Sequence, residues 1–212
     1  MVTDPAITQD AARIAALVSG AGASSGRTLM AIAGPPAVGK STTAEAVVTA
    51  LSQAGHTAVL VPMDGFHLDN SILDARGLLP RKGAPETFDI AGLTHLVTRL
   101  RAEDEVMFPV FDRAVDCAIA GRGCVGPEHR VIVVEGNYLL FDAPHWRDLA
   151  RNWDHSVFLG APMAELTERL IQRWLNYGLS PETARQRAEA NDLPNARRIL
   201  DARLPADLVL GE

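Results

Sequence analysis

Residues 34–41 read Gly34-Pro35-Pro36-Ala37-Val38-Gly39-Lys40-Ser41, which satisfies the pattern G-x-x-x-x-G-K-[ST] and is followed by Thr42. Its flanks are the required ones. Thr28-Leu-Met-Ala-Ile-Ala-Gly34 reads as a strand, and the run from Ser41 to Leu51 reads as a helix. Glycines let successive backbone N–H groups turn toward an anion, and the helix N-terminus adds the positive end of its dipole. Lys40 is then the group that reaches the β- and γ-phosphates, and the Ser41 hydroxyl is the group that meets Mg²⁺. The motif therefore predicts a strand–loop–helix unit that binds a nucleoside triphosphate.

The rest of the chain supplies the remaining layers. Ala11, Ile14, Ala15, Leu17 and Val18 fall at helical spacing, so a short helix is expected over 10–18, with 19–26 as a flexible connector. Apolar runs at 57–63, 130–136 and 155–159, with 206–210 closing the sheet, have the continuous hydrophobicity of buried parallel strands. Helices are expected over 90–102, 163–177, from Ser180 onward, and over 194–203. Ser180 and Pro181 form a capped helix start. Residues 67–88 read as loop-rich. A strand over 105–111 with a turn at Ala120-Gly-Arg-Gly123 predicts a hairpin. Strands alternating with helices predict a mainly parallel sheet covered on both faces. A chain of 212 residues suits one such domain.

Charge and composition bound the partners. A net charge of −6 without a basic run disfavours nucleic acid, and no apolar stretch reaches membrane-spanning length. The acidic start, Met1-Val-Thr-Asp-Pro, lacks a signal-peptide pattern, so a cytoplasmic protein is expected. Cys117 and Cys124 are expected to be free thiols.

Ligands of open parallel sheets bind beyond the carboxyl ends of the strands. Asp64 follows the 57–63 run. A carboxylate there can accept the proton of an attacking hydroxyl, or can simply cap a turn before Gly65. Glu135 ends the next apolar run, where an acid reaches Mg²⁺ or its water shell, or is tied to backbone amides. His67 can meet substrate or sit at the core edge. Arg169 and Arg173, four apart on one helix face, can close over a transferring phosphate or pair with Glu165 and Glu168. Arg185, Arg187, Arg197 and Arg198 read as helix surface, with a place near adenine open to one of them. Arg81, Lys82, Glu86 and Asp89 crowd one loop more densely than a fold demands, which points to acceptor binding.

Together these residues resemble the phosphoribulokinase/uridine kinase group, whose architecture bacterial pantothenate kinases share. The segments 63–70, 81–89, 108–113, 134–140 and 191–196 are most similar to nucleoside/nucleotide kinase-like proteins labelled fructose transport system kinases. The resemblance runs from Leu29 to Leu210. It implies a three-layer α/β/α P-loop fold with a five-stranded sheet, a hairpin insertion at 105–125 near the acceptor, and a helical lid at 165–192. It further implies an ATP-dependent kinase with Mg²⁺, Lys40 and Ser41 on phosphate, Asp64 as base, and Glu135 in the metal shell. Arg81, Lys82 and Asp89 would surround a small-molecule acceptor, Phe111, Asp112 and Arg113 would line its pocket, and Arg169 and Arg173 would be lid residues. A homodimer is compatible with the group. Uridine kinases carry a Tyr-Asp pair and then a histidine that reads the base, whereas here Phe111-Asp112 is followed by Asp116. That departure favours a sugar or polyol over a nucleoside, with pantothenate still open. A nucleotide switch or metal-insertion chaperone is the competing reading, but it needs a guanine-reading Asn/Thr-Lys-x-Asp segment that the sequence lacks.

Overall fold

The computed structural model describes residues 4–20 and 26–211. Helix α1 (Pro5–Gly20) leads to β1 (Thr28–Ala33), α2 (Lys40–Gln53) and β2 (Ala58–Pro62). A 3-10 turn at Met63–Phe66 and helix α3 (Asn70–Ala75) precede α4 (Ile90–Ala102). The hairpin strands β3 (Val106–Asp112) and β4 (Cys117–Val125) follow, then β5 (Val131–Gly136) and β6 (His155–Leu159). Helices α5 (Met163–Asn176), α6 (Pro181–Arg187) and α7 (Leu193–Asp201) and strand β7 (Leu208–Leu210) complete the order.

The main sheet runs β2-β5-β1-β6-β7, with every neighbouring pair parallel. The period-2 geometry of a strand explains why apolar runs suit it. In β1, Leu29, Ala31 and Ala33 join one core, while Met30 and Ile32 join the other; in β5, Ile132 and Val134 oppose Val131 and Val133 in the same way. One face is sealed by α1 and α2. Ala11, Ile14, Ala15 and Val18 lie on a single stripe of α1 and meet Ala44, Val47 and Leu51. The opposite face is sealed by Leu93, Leu96, Val97 and Leu100 of α4, an aromatic group of Tyr138, Phe141 and Trp146, and Ile199 of α7. This is the expected three-layer α/β/α arrangement, with the sheet wholly parallel. A separate small cluster of Leu170, Ala188 and Leu193 ties α5 to the α6–α7 segment.

Arg27, at the entrance to β1, gathers the chain around it. Its guanidinium donates to the carbonyls of His129, Leu100, Glu103, Asp104 and Gly126. Those carbonyls belong to the end of α4 and to the turn before β5.

Several sequence expectations are corrected. The first helix begins at Pro5 and continues to Gly20, so its end occupies residues assigned to the connector; the connector's residues 21–25 lie outside the described residues. The 67–88 region holds a helix, α3, started by Asp69, whose side chain accepts from the Ser71 N–H. The hairpin exists, but its turn is 113–116 rather than 120–123. Asp112 Oδ1 accepts from the Ala114 N–H, and Asp116 takes a left-handed φ of 52°, a conformation Asp tolerates. Gly123 serves a different need: it pairs with Phe108, and a Cβ there would enter that ring. Cys117 and Cys124 are free, paired across the hairpin with Asp112 and Met107 and not with each other. Ser180 caps α6 as expected, accepting from Thr183 N–H. A π-helical turn, Ala188–Asp192, then carries α6 into α7. Among the described residues no helix is long and apolar enough to cross a membrane.

Candidate active site

Parallel pairing sets the carboxyl ends of β1, β2 and β5 side by side. Glu135 is in register with Ile32 of β1 and Pro62 of β2. Hence the loop after β1, the turn after β2 and the end of β5 open onto one edge of the sheet.

In the loop after β1, Gly34, Ala37 and Gly39 all have positive φ, of 155°, 63° and 98°. A Cβ on Gly34 would run into the Leu159 carbonyl. Gly39 caps α2 without any side-chain hydrogen bond, which leaves the first N–H groups of that helix available. Lys40 is the first residue of α2 and is 7% exposed. Its Nζ donates to the Pro35 carbonyl at 2.8 Å. Burial pushes the Lys40 ammonium down to about 8, against the opposing pull of Glu135 and Asp64. This is a cradle of backbone donors with a buried cation at its floor, and it suits a polyphosphate.

Ser41 Oγ donates to Glu135 Oε1 at 3.3 Å. Burial lifts the Glu135 carboxyl to about 6, with Lys40 holding it back. A hydroxyl and a carboxylate oxygen so close together fit Mg²⁺, which takes one or two protein oxygens and completes its shell from phosphate and water.

Asp64 lies in the 3-10 turn that follows β2. The turn needs Gly65, because the Pro109 carbonyl of the hairpin occupies the place of a Cβ. Arg113, from the hairpin turn, pairs with Asp64 Oδ2 at 3.2 Å. His67 Nδ1 lies 2.8 Å from the Asp64 carbonyl, which can only accept, so Nδ1 carries the proton. Its ring stacks 4.1 Å from Phe88 and 4.8 Å from Phe111, and burial lowers its pKa and keeps it neutral.

A cavity of about 890 Å³ joins these groups. Pro36, Ala37, Gly39, Lys40, Ser41, Thr42, Asp64, His67, Lys82, Phe111, Arg113, Glu135 and Arg173 all line it. Lys82 sits 4.9 Å over the Phe111 ring and bonds Asn70 Oδ1 and the Asp116 carbonyl, each at 2.7 Å, and Asp116 Oδ2 at 3.0 Å. Burial alone would raise Asp116, but hydrogen bonds from Asn70 and Lys82 hold its carboxyl below the usual range. Asn191 Nδ2 donates to the Lys82 carbonyl and Asn195 Nδ2 donates to Asn191 Oδ1, which brings the π-turn onto the same wall.

Other expected residues lie elsewhere. Arg81 pairs with Glu86 at 2.7 Å, outside the cavity. Asp89 is the cap of α4, accepting from Gly92 N–H. Asp112 is held by Arg122 at 2.5 Å. Each is consumed by a local structural bond. Arg169 pairs with Glu165 and lines a second cavity, of about 850 Å³, together with Val38, Leu159 and Asp10. Ala37, Gly39, Thr42 and Arg173 border both cavities, so the two meet around the phosphate loop.

Sequence reasoning missed Asn70, Asp116, Trp174, Asn191 and Asn195, and read Arg187 as surface. Trp174 Nε1 donates to Asp192 Oδ2 at 2.6 Å, and Arg173 pairs with Asp192 Oδ1 at 3.4 Å. Arg173 and Arg187 stand 5.2 and 5.1 Å from the Trp174 ring, and both line the first cavity. Asn70, Asn191 and Asn195 lie within the segments 63–70 and 191–196 that carry the family resemblance, and the i, i+4 spacing of Asn191 and Asn195 places both on one helical face, but neither signal assigned them a role.

No protein-family model matches the chain. It is 37% identical over 186 residues to the uncharacterised protein YggC of Escherichia coli K12, covering 87% of this chain and 77% of that one. It is 32% identical over 198 residues to a Schizosaccharomyces pombe protein provisionally named a uridine kinase, covering 87% and 83% of the two chains. A crystal structure from Silicibacter sp. TM1040, provisionally named a fructose transport system kinase, superposes with a TM-score of 0.91. Identity to it is 54%, over 94% of this chain and 98% of that one.

Proposed function

The chain belongs to the P-loop kinases, ATP-dependent phosphotransferases with an alcohol group as acceptor, and from that premise we propose that it phosphorylates a hydroxyl of a small sugar-like acceptor with Asp64 as general base. The observation that carries this reading is the convergence of the phosphate loop, Glu135 and Asp64 on one cavity.

The phosphates of ATP suit the loop 34–42, where Lys40 can exchange its bond to the Pro35 carbonyl for a phosphate oxygen. The second cavity has room for the nucleoside. Bound Mg²⁺ would be held by Ser41 and Glu135 and would neutralise charge on the β- and γ-phosphates. The acceptor hydroxyl attacks the γ-phosphorus while the bond to the bridging oxygen breaks, and ADP leaves. The hydroxyl proton passes to an Asp64 carboxylate oxygen. Charge that builds on the transferring group is met by Lys40 and by Arg173 and Arg187 of the lid. Arg169 then serves beside the nucleoside rather than over the γ-phosphate.

Replacing Asp64 by Asn removes the base and keeps its shape. We expect ATP affinity within about twofold of the parent by calorimetry, and acceptor-dependent ADP release reduced by roughly 10²–10⁴. A variant that loses nucleotide binding in step with turnover would make Asp64 a structural residue.

A further inference from the structure

We propose, resting on the kinase reading above, that the acceptor is an uncharged, hydroxyl-rich molecule, because Lys82, the mostly buried cation of the acceptor wall, has spent all its donors while that wall keeps free hydrogen-bond acceptors. An ammonium has three N–H donors. Those of Lys82 face Asn70 Oδ1, the Asp116 carbonyl and Asp116 Oδ2, so none is left for a substrate carboxylate or phosphate. Arg113 gives one of its five N–H donors to Asp64, and its side chain is mostly exposed rather than buried in this wall. Asp74 adds a further carboxylate to the lining, so an anion beside Lys82 would meet Asp64, Asp74 and Asp116 and find no free ammonium donor.

Of the two unpartnered buried side-chain atoms in this lining, Arg173 Nε belongs to the arginine assigned above to the transferring phosphate, and the other is an acceptor. Asn195 is 3% exposed and its Oδ1 has no partner, although it lines the cavity. A buried amide oxygen left unbonded is costly, so a donor from the ligand is the expected remedy. With the Nδ1 proton committed to the Asp64 carbonyl, His67 turns a neutral ring to the cavity whose Nε2 is an acceptor. Hydroxyl groups supply such donors, whereas ionised carboxylates and phosphates only accept. The Phe111 ring gives the wall an apolar face as well.

The test uses matched neutral and acidic pairs at equal concentration with Mg-ATP: glycerol and glycerate, pantothenol and pantothenate, ribose and ribose 5-phosphate. Two readouts are taken, acceptor-dependent ADP release and the acceptor's shift of the melting temperature in Mg-ADP. A neutral member that exceeds its acid at least tenfold in kcat/KM, or that alone shifts the melt, supports the proposal. An acid that is the better member of its pair, or no response to either member of any pair, overturns it. Turnover of an acid spares the kinase reading and sinks this one, whereas melting shifts by neutral members without turnover do the reverse. Asp116→Gly removes the side-chain acceptor and so frees one Lys82 donor, and Gly adopts the left-handed backbone there without strain. That variant should narrow the neutral-over-acid ratio at least fivefold; an unchanged ratio would overturn the argument from Lys82.

Discussion

Lys40 is the residue at which binding and stability oppose each other most plainly. Its ammonium titrates near 8 in the folded chain and at 10.5 ordinarily. Between those values the unfolded chain holds a proton that the folded one has released, so this residue makes stability rise with pH across that window. Below pH 8 the cost of burying the charge is fully present, roughly 3 kcal/mol for such a shift. Lys40→Met should therefore melt at or above the parent at pH 7 in the absence of nucleotide, with the difference closing toward pH 10. The gain is trimmed because Glu135 loses its nearest cation. Melting curves at the two pH values check this, and a variant that melts lower at pH 7 would mean that the Pro35 and Glu135 contacts outweigh burial. The loop after β1 was legible in the sequence because its left-handed turns into α2 demand glycine at fixed spacing. The acceptor wall was not. Asn70, Lys82, Asp116 and the Asn191–Asn195 pair come from separate segments, and only Lys82 was given a binding role, by the charge density of its loop.

At the level of elements, long apolar runs gave their position away and short polar pieces did not. The helix over Ile90–Ala102 follows its apolar spacing from end to end, whereas α3 is six residues long and shows no periodicity to read. The hairpin turn was misplaced because glycines are the stronger turn signal, and at Gly123 the glycine answers to the Phe108 ring instead. The α5–α7 segment proposed as a lid is the element whose packing predicts motion. Its buried cluster is Leu170, Ala188 and Leu193, against the large cores on the two faces of the sheet. Cooperative units with few buried apolar contacts open first. Amide exchange should run at least about a hundredfold faster over 181–192 than over β1 and β5 in the free protein, and should slow when a non-hydrolysable ATP analogue binds. Equal protection in both regions would show that 181–192 opens only with the whole molecule.

For the molecule as a whole, fold class followed from one loop and four apolar runs, because a parallel sheet needs helices on both faces and leaves few alternatives. The order β2-β5-β1-β6-β7 was not legible, since strand order depends on which helix returns over which face. Nor did any motif mark Arg27, whose five donors are matched by five carbonyls from the end of α4 and the turn before β5. A lysine there has three donors and no fork, so Arg27→Lys should cost about 2–4 kcal/mol and lower the melting temperature by roughly 5–15 °C. Differential scanning fluorimetry tests this, and a shift under about 2 °C would show that water replaces those bonds at little cost. In genetic terms, Arg27 is where a temperature-sensitive allele should arise: full turnover in the cold, loss of the protein in the warm, and no lesion within reach of either ligand.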